Sequence, residues 1–429
     1  MYLRKTGVLL LLAALSIGCG SQSTSGNIGE LKFAPDNGGI MLPEGFRAVV
    51  VADSLGAARH ITVGDNGDIY IILSRHENGN GMVALRDTDD DGIADQREYF
   101  SDITGTGIQL YEGYLYASTD TSVVRFALDG DHLVPSSAPE IVIEGFPKQN
   151  SHAAKPFTFD DDGHIYVNVG APSNACQEQT RTPGSPGQDP CPQLERHGGI
   201  WQFNARETGQ TQQNNGSRYA SGIRNAVALD WSSQAGNLYV AQHGRDQLNQ
   251  LWPDYYDEKD NAELPAEELL LVKEGSVFGW PYTYYDSQKD ARMVSPEYGG
   301  DGKKVAEEGK YPDPVLVFPG HWAPNDLQFY EAGQFPEKYH NGAFIAFHGS
   351  WNRAPLPQQG YNVAFVPFEG ETPSGDYEIF ADGFKGAETL DSPGNAVHRP
   401  VGLAIGPDGS LYISDSVRGT IWRVVYTGS

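Results

Sequence analysis

Six times along this chain a cluster of turn residues runs directly into a short strand with an aromatic at a fixed place. The unit reads DNGDIYII around Tyr70, YEGYLYAS around Tyr116, DDGHIYVN around Tyr166, QAGNLYVA around Tyr239, HNGAFIAF around Phe344 and PDGSLYIS around Tyr412. Successive aromatics stand roughly 45 to 105 residues apart, and the lower end matches one four-stranded propeller blade, with loops taking up the excess. A unit of this kind cannot bury its apolar face alone and must stack on its neighbours. Helical periodicity is nearly absent. Only AELPAEELLLVKEG, residues 262–275, reads as a short helix or as the approach to a strand. The chain is therefore expected to be all-β, a six-bladed β-propeller with four-stranded antiparallel blades over residues 41–429.

About 10 to 20 residues ahead of five of the six aromatics stands a polar pair: Arg59-His60, Ser151-His152, Arg224-Asn225, His321-Trp322 and His398-Arg399. Blade two offers only Thr104 to Gly107. The first strand of a propeller blade lines the central channel, so equivalent strand positions converge at one mouth. The stretch HGSWNRAP, from His348 to Pro355, follows an apolar strand in blade five and is expected to form another wall of that mouth. For any one of these residues, mutual satisfaction within a polar channel is the simpler reading. For the whole set, several arginines at one mouth repel each other unless an anion sits between them.

The N-terminus carries Arg4 and Lys5, an apolar run from Val8 to Leu15, and the small-residue exit Ser16, Ile17, Gly18 before Cys19. Residues 1–18 read as a lipoprotein-type secretory signal too short to span a bilayer, Cys19 as the lipidated residue, and residues 19–40 as a polar tether. A plain signal peptide cut elsewhere is the alternative. If Cys19 carries lipid, Cys176 and Cys191 are the pair left in an oxidising compartment, and a disulfide closing their Gly/Pro-rich loop is the economical reading. A formal net charge of -26 argues against a nucleic-acid partner, since phosphate contacts need clustered Lys and Arg.

A second candidate site stands in RDTDDDGIADQREYF. Asp87, Asp89, Asp91, Gly92 and Asp95 follow a DxDxDGxxD spacing that suits structural calcium, although Tyr99 replaces the glutamate that would complete an EF-hand loop. The flanking strand-like residues place it at a hairpin tip. A solvated acidic turn is the competing reading.

HGSWNRAP, SGIRNAVAL, FGWPY, NSHAAKPFTF and HRPVGLAIGPDGSLYISDSVRGTIWRV, one after another in order and spacing, resemble the PQQ-dependent sugar dehydrogenases, in particular the L-sorbosone and pyranose dehydrogenase branch of the glucose/sorbosone dehydrogenase family. The resemblance runs from about Pro43 to the C-terminus. It implies a six-bladed propeller with pyrroloquinoline quinone (PQQ) over the channel, its carboxylates on basic side chains and a calcium ion at its quinone edge. By position, it implies His152 as the catalytic base and Arg224 with Asn225 as the grip on the quinone oxygens. The main-chain carbonyls of Gly279, Trp280 and Pro281 would bind calcium, and Arg399 a cofactor carboxylate. Arg353, Arg59 and Arg418 are further cofactor contacts on this reading, as are His321 and Trp322. Trp322 and Trp351 are expected either to offer stacking surface or to pack between blades. Two departures stand out: Ser151 replaces an aspartate before the histidine, and Thr104 to Thr106, with Gln109, replace a glutamine in blade two.

The activity implied is calcium-dependent oxidation of an aldose or osone to the lactone or acid at the periplasmic face. A neutral histidine takes the hydroxyl proton, and PQQ takes the hydride. With no haem-attachment motif, and cysteines too few for an iron–sulfur cluster, the chain would pass electrons to a separate cytochrome or quinone. Propellers also serve as lactonase-like hydrolases or as anion-binding scaffolds. A hydrolase of that kind holds its metal with Asp, Asn and Glu, whereas the blade starts here carry His and Arg.

Overall fold

The computed structural model describes residues 30–428 apart from 131; the expected signal segment and Cys19 lie outside the described residues. Six innermost strands, Ala58–Val63, Ile108–Tyr111, Phe157–Phe159, Ala228–Ser232, Pro324–Tyr330 and Pro400–Ile405, each begin a sheet, and each packs on the next around a closed ring. Each is followed by an antiparallel second strand carrying the repeat aromatic, so the six sequence units are the six blades in order.

The ring is closed by the ends of the chain. Phe46–Ala52 forms the outermost strand of blade six by pairing antiparallel with Ile421–Tyr426, Phe46 opposite Tyr426. Blades two and three each gain a fifth strand, added in parallel from a following loop: Gln210–Thr211 beside Glu140–Glu144, and Ser276–Val277 beside Ser217–Ser221. The ambiguous stretch in blade four is both things at once. A helix, Glu258–Glu263, ends within it, and the strand Glu267–Val272 completes it.

The register shows what the repeat aromatic does. Opposite Tyr70, Tyr116, Tyr166, Tyr239, Phe344 and Tyr412 on the innermost strands stand Thr62, Gln109, Thr158, Asp230, Gln328 and Ala404. All six line the central channel. Several stitch one blade to the next: the Asp230 carboxylate accepts from the Phe329 N–H at 2.9 Å and the Thr158 hydroxyl at 3.1 Å, and Asp326 accepts from the Leu403 N–H at 2.8 Å. Burial pushes the Asp230 carboxyl up to about 7. Between blades the packing is aromatic and aliphatic, with Tyr330, Phe344, Phe365 and Trp422 in one buried cluster.

First strands start, and second-to-third connections turn, at the same end of the ring. That end carries every polar pair singled out above, together with the disulfide loop between His164–Val169 and Gly199–Asn204. Cys176 and Cys191 form the expected disulfide. Cys176→Ser is expected to cost about 3 kcal/mol in urea unfolding through the freed loop entropy. Ready thiol labelling of native protein would contradict the bridge.

The acidic loop turns at the opposite end, in the hairpin between Asn80–Arg86 and Gln96–Phe100, where Arg86 faces Gln96. Oxygens of Asp87, Asp89 and Asp95 lie within 4.8 Å of one another. Asp91 departs from the expected set: it pairs with Lys32 and accepts from the Ile93 N–H at 2.8 Å.

Candidate functional site

His152 sits in the connection from blade two to blade three, in a left-handed backbone conformation at φ 53°. The Gln149 amide holds that turn by donating to the carbonyls of Ser151, His152 and Gly170 at 2.7 to 2.9 Å. The imidazole Nδ1 lies 2.6 Å from the Ala171 carbonyl. A carbonyl can only accept, so Nδ1 carries the proton and Nε2 is left with its lone pair. This carbonyl orients the ring without a carboxylate at Ser151. Burial first, and the charge of Arg224 second, lower the His152 pKa to about 3.

Glycine is required at 170. A Cβ there would stand 2.6 Å from Asn225 Oδ1 and 2.7 Å from His152 Cβ. The close approach brings Asn225 beside the histidine, and the neighbouring Arg224 is 3 % exposed. Four of the five N–H groups of its guanidinium are engaged: Nε on the Asn174 carbonyl at 3.2 Å, Nη1 on the Gly244 carbonyl at 2.8 Å, and Nη2 on Asn174 Oδ1 at 3.0 Å and Asp246 Oδ2 at 2.8 Å. Burial lowers its pKa against the pull of Asp246.

Across the mouth stand Arg59, Arg399 and His348. Arg399 donates from Nε to the His348 carbonyl at 2.9 Å and from Nη2 to the Gly349 carbonyl at 2.6 Å. His348 Nε2 meets the Ser416 hydroxyl at 2.7 Å, and burial, then Arg399 and Arg59, keep the ring neutral. The Arg59 Nε is buried with no partner among the described residues. Burial pushes this guanidinium down to about 10, with Asp326 raising it and Arg399 lowering it. A buried Nε without an acceptor among the described residues, on a guanidinium beside a second cation, suits an anion.

Other expected contacts have different surroundings. Arg353 is 1 % exposed and donates to the carbonyls of Ala262, Gly320 and Pro357 and to Glu263 at 2.7 Å, which makes it a staple between the loops of blades four and five. His321 donates from Nε2 to the carbonyl of Asn261 or Leu264, at 2.8 and 3.1 Å. Trp322 packs between blades on Phe347 and Tyr377 and donates to Gln359. Trp351, by contrast, is 53 % exposed. Arg418 is exposed on the loop after the second strand of blade six.

The Gly279-Trp280-Pro281 turn lies against Arg224's neighbours: the Trp280 indole donates to the Asn174 carbonyl at 3.0 Å. The Gly279 carbonyl accepts from Tyr282 and Thr283, whereas those of Trp280 and Pro281 receive no backbone N–H among the described residues. Sequence reading missed Asp246, Asn174 and the Ala171 carbonyl. The first two sit in ordinary-looking loops, and a carbonyl has no residue signature at all.

Fold and site together define a six-bladed propeller whose mouth gathers arginines, neutral histidines and one oriented imidazole. Residues 40–427 match the family model described as TrAA12-like, and the chain belongs to that family. It is 26% identical over 277 residues to a pyrroloquinoline quinone-dependent pyranose dehydrogenase of Coprinopsis cinerea, an alignment covering 56% of this chain and 36% of that protein. It is 30% identical over 210 residues to an uncharacterized protein of Borreliella burgdorferi, covering 48% of each. The chain thus spans about half, or less, of the length of these curated relatives. In fold it resembles the holo PQQ domain of the Coprinopsis pyranose dehydrogenase, with a TM-score of 0.71 at 19% identity over 92% of this chain and 97% of that one. The calcium structure of a Trichoderma reesei carbohydrate-active enzyme of family AA12 gives 0.73 at 17% identity, covering 92% and 98%. The chain is therefore a relative of the PQQ sugar dehydrogenases, as its motifs led us to expect.

Proposed function

We propose that this protein is a PQQ- and calcium-dependent dehydrogenase that oxidises an aldose or an osone such as sorbosone to the lactone or acid. The observation that carries the reading is the buried Arg59 Nε, without a partner among the described residues, beside Arg399 at a mouth that also holds an oriented, neutral His152. These donors fit PQQ. Arg59 and Arg399 would take its carboxylates, and Arg224 with Asn225 its quinone oxygens. The carbonyls of Trp280 and Pro281 are the available oxygens for calcium, which suits a hard cation. PQQ, when bound, supplies the hydride acceptor.

The chain's own part is proton handling and charge placement. His152 Nε2 accepts the proton of the sugar hydroxyl, while its Nδ1–H stays on the Ala171 carbonyl and holds the ring in position. Arg224 is fixed before any ligand arrives, so its charge is preorganised rather than recruited. The exposed indole of Trp351 offers a face for the sugar ring. Arg418, exposed near the rim, remains within the proposed cofactor set. We further propose export, attachment by lipid at Cys19 to the periplasmic face of a bacterial membrane, and a separate cytochrome or quinone as electron acceptor, supported by the N-terminal motif and the lack of a second redox motif in the sequence.

Apoprotein titrated with PQQ, with and without calcium, tests the cofactor reading. Binding is expected to require the metal, because the charge of Arg224 is already paired with Asp246 and its one free donor does not neutralise the quinone edge by itself. Equal binding in excess chelator would remove calcium from the scheme, and no binding in either condition would remove PQQ. Dye-linked oxidation of a panel of aldoses and osones by the reconstituted protein then names the substrate class.

A further inference from the structure

Asp246 lies between the second and third strands of blade four, in HGRDQLN, where nothing in the sequence marks it. Its carboxylate holds side chains from three other segments. Arg224 Nη2 donates at 2.8 Å from the connection between blades three and four, Arg181 Nη2 at 2.9 Å from the disulfide-closed loop, and Asn352 Nδ2 at 2.6 Å from blade five. Its backbone is locked as well, the Asp246 N–H donating to Asn174 Oδ1 and its carbonyl accepting from Asn174 Nδ2, both at 2.9 Å. Burial alone would raise its pKa, but Arg224, His321 and Arg181 hold the carboxyl well below the usual range.

This arrangement matters because of what it leaves over. With four N–H groups fixed by Asn174, Gly244 and Asp246, the Arg224 guanidinium keeps one Nη1 donor and one orientation of its plane. A planar fork held this way delivers its remaining donor in a single direction. Asn352 adjoins Trp351, so the same carboxylate also anchors the turn presenting that indole.

We infer that Asp246 is a positioning residue for the mouth: it fixes the plane of Arg224 and the turn bearing Trp351, and Arg181 ties it to the disulfide loop. Its consequence for PQQ binding rests on the function proposed above. A carboxylate serving only as a counter-ion would oppose an anionic ligand, and removing its charge would tighten binding. A positioning carboxylate does the reverse, because a guanidinium released from its partners must be ordered again by the ligand.

The test uses the full apoprotein and two variants, Asp246→Asn, which keeps the volume, and Asp246→Ala. With arginine-selective labelling, the Arg224 Nε–H is expected to exchange with solvent at least about tenfold faster in Asp246→Ala than in the parent, since a charge-assisted bond has been lost. In calorimetric titration with PQQ and calcium, Asp246→Asn is expected to bind about tenfold more weakly. Unchanged Arg224 exchange in both variants would overturn the inference, as would tighter PQQ binding by Asp246→Asn. If the parent protein binds no PQQ, the proposed function fails, and the exchange measurement still decides whether Asp246 holds Arg224.

Discussion

His152→Ala is expected to lower kcat by about 10²–10⁴-fold, the usual contribution of a positioned general base, while PQQ affinity stays essentially unchanged. The asymmetry follows from the geometry. The imidazole uses Nδ1 to hold itself on the Ala171 carbonyl and has only Nε2 to offer, so under the proposed function it would act on the substrate proton and contribute little to cofactor binding. The pH profile provides an independent check. A group whose folded pKa is depressed to about 3 becomes charged only below that pH, so its lone pair is available across the whole range above it. The acid limb of kcat/KM should therefore descend only as the pH approaches 3. Near-normal turnover in the variant, or an acid limb of the parent centred near pH 6.5, would give the proton to another residue.

Arg59→Met is expected to move two quantities in opposite directions. Without cofactor the variant should be more stable, by about 1 kcal/mol, because a buried guanidinium nitrogen with no acceptor has been replaced by an apolar chain. With cofactor it should bind PQQ roughly 10- to 150-fold more weakly, the equivalent of about 1.5–3 kcal/mol for a charge-assisted hydrogen bond. Thermal unfolding of the apoprotein and a PQQ titration measure the two effects separately. A less stable variant with unaltered PQQ affinity would make Arg59 a structural residue like Arg353.

Arg59 and Arg353 also show where sequence reading reaches its limit. Both are arginines near the mouth end of a blade, and both were expected to touch the cofactor. What separates them is whether the surroundings supply acceptors: Glu263 and three carbonyls meet Arg353, and nothing among the described residues meets the Nε of Arg59. Two of those acceptors, Ala262 and Glu263, lie about 90 positions away and are brought near by stacking of blades rather than by any local pattern. The blades themselves were legible because their signal is local, a tight turn and an aromatic that recur in phase with the strand. His152 was legible for the same reason, lying in a short motif at a blade start. Asp246 was not, since it acts only through contacts that the closed ring creates. His321 and Trp322 occupy the same blade-start position, and there the Trp322 ring also packs on Phe347 and Tyr377.

The clasp between Phe46–Ala52 and Ile421–Tyr426 sets a timetable for biosynthesis. Its two strands lie far apart in the sequence, so Phe46–Ala52 has no partner in blade six until Ile421–Tyr426 has been made. Blades one to five can form as they emerge, but they remain an open arc with an exposed first and last face. A chain cut short before Ile421–Tyr426 lacks the strand that clasps the ring and presents that open arc to proteases and to other copies of itself. Completion of the ring is thus the molecule's own report that all six blades are in place.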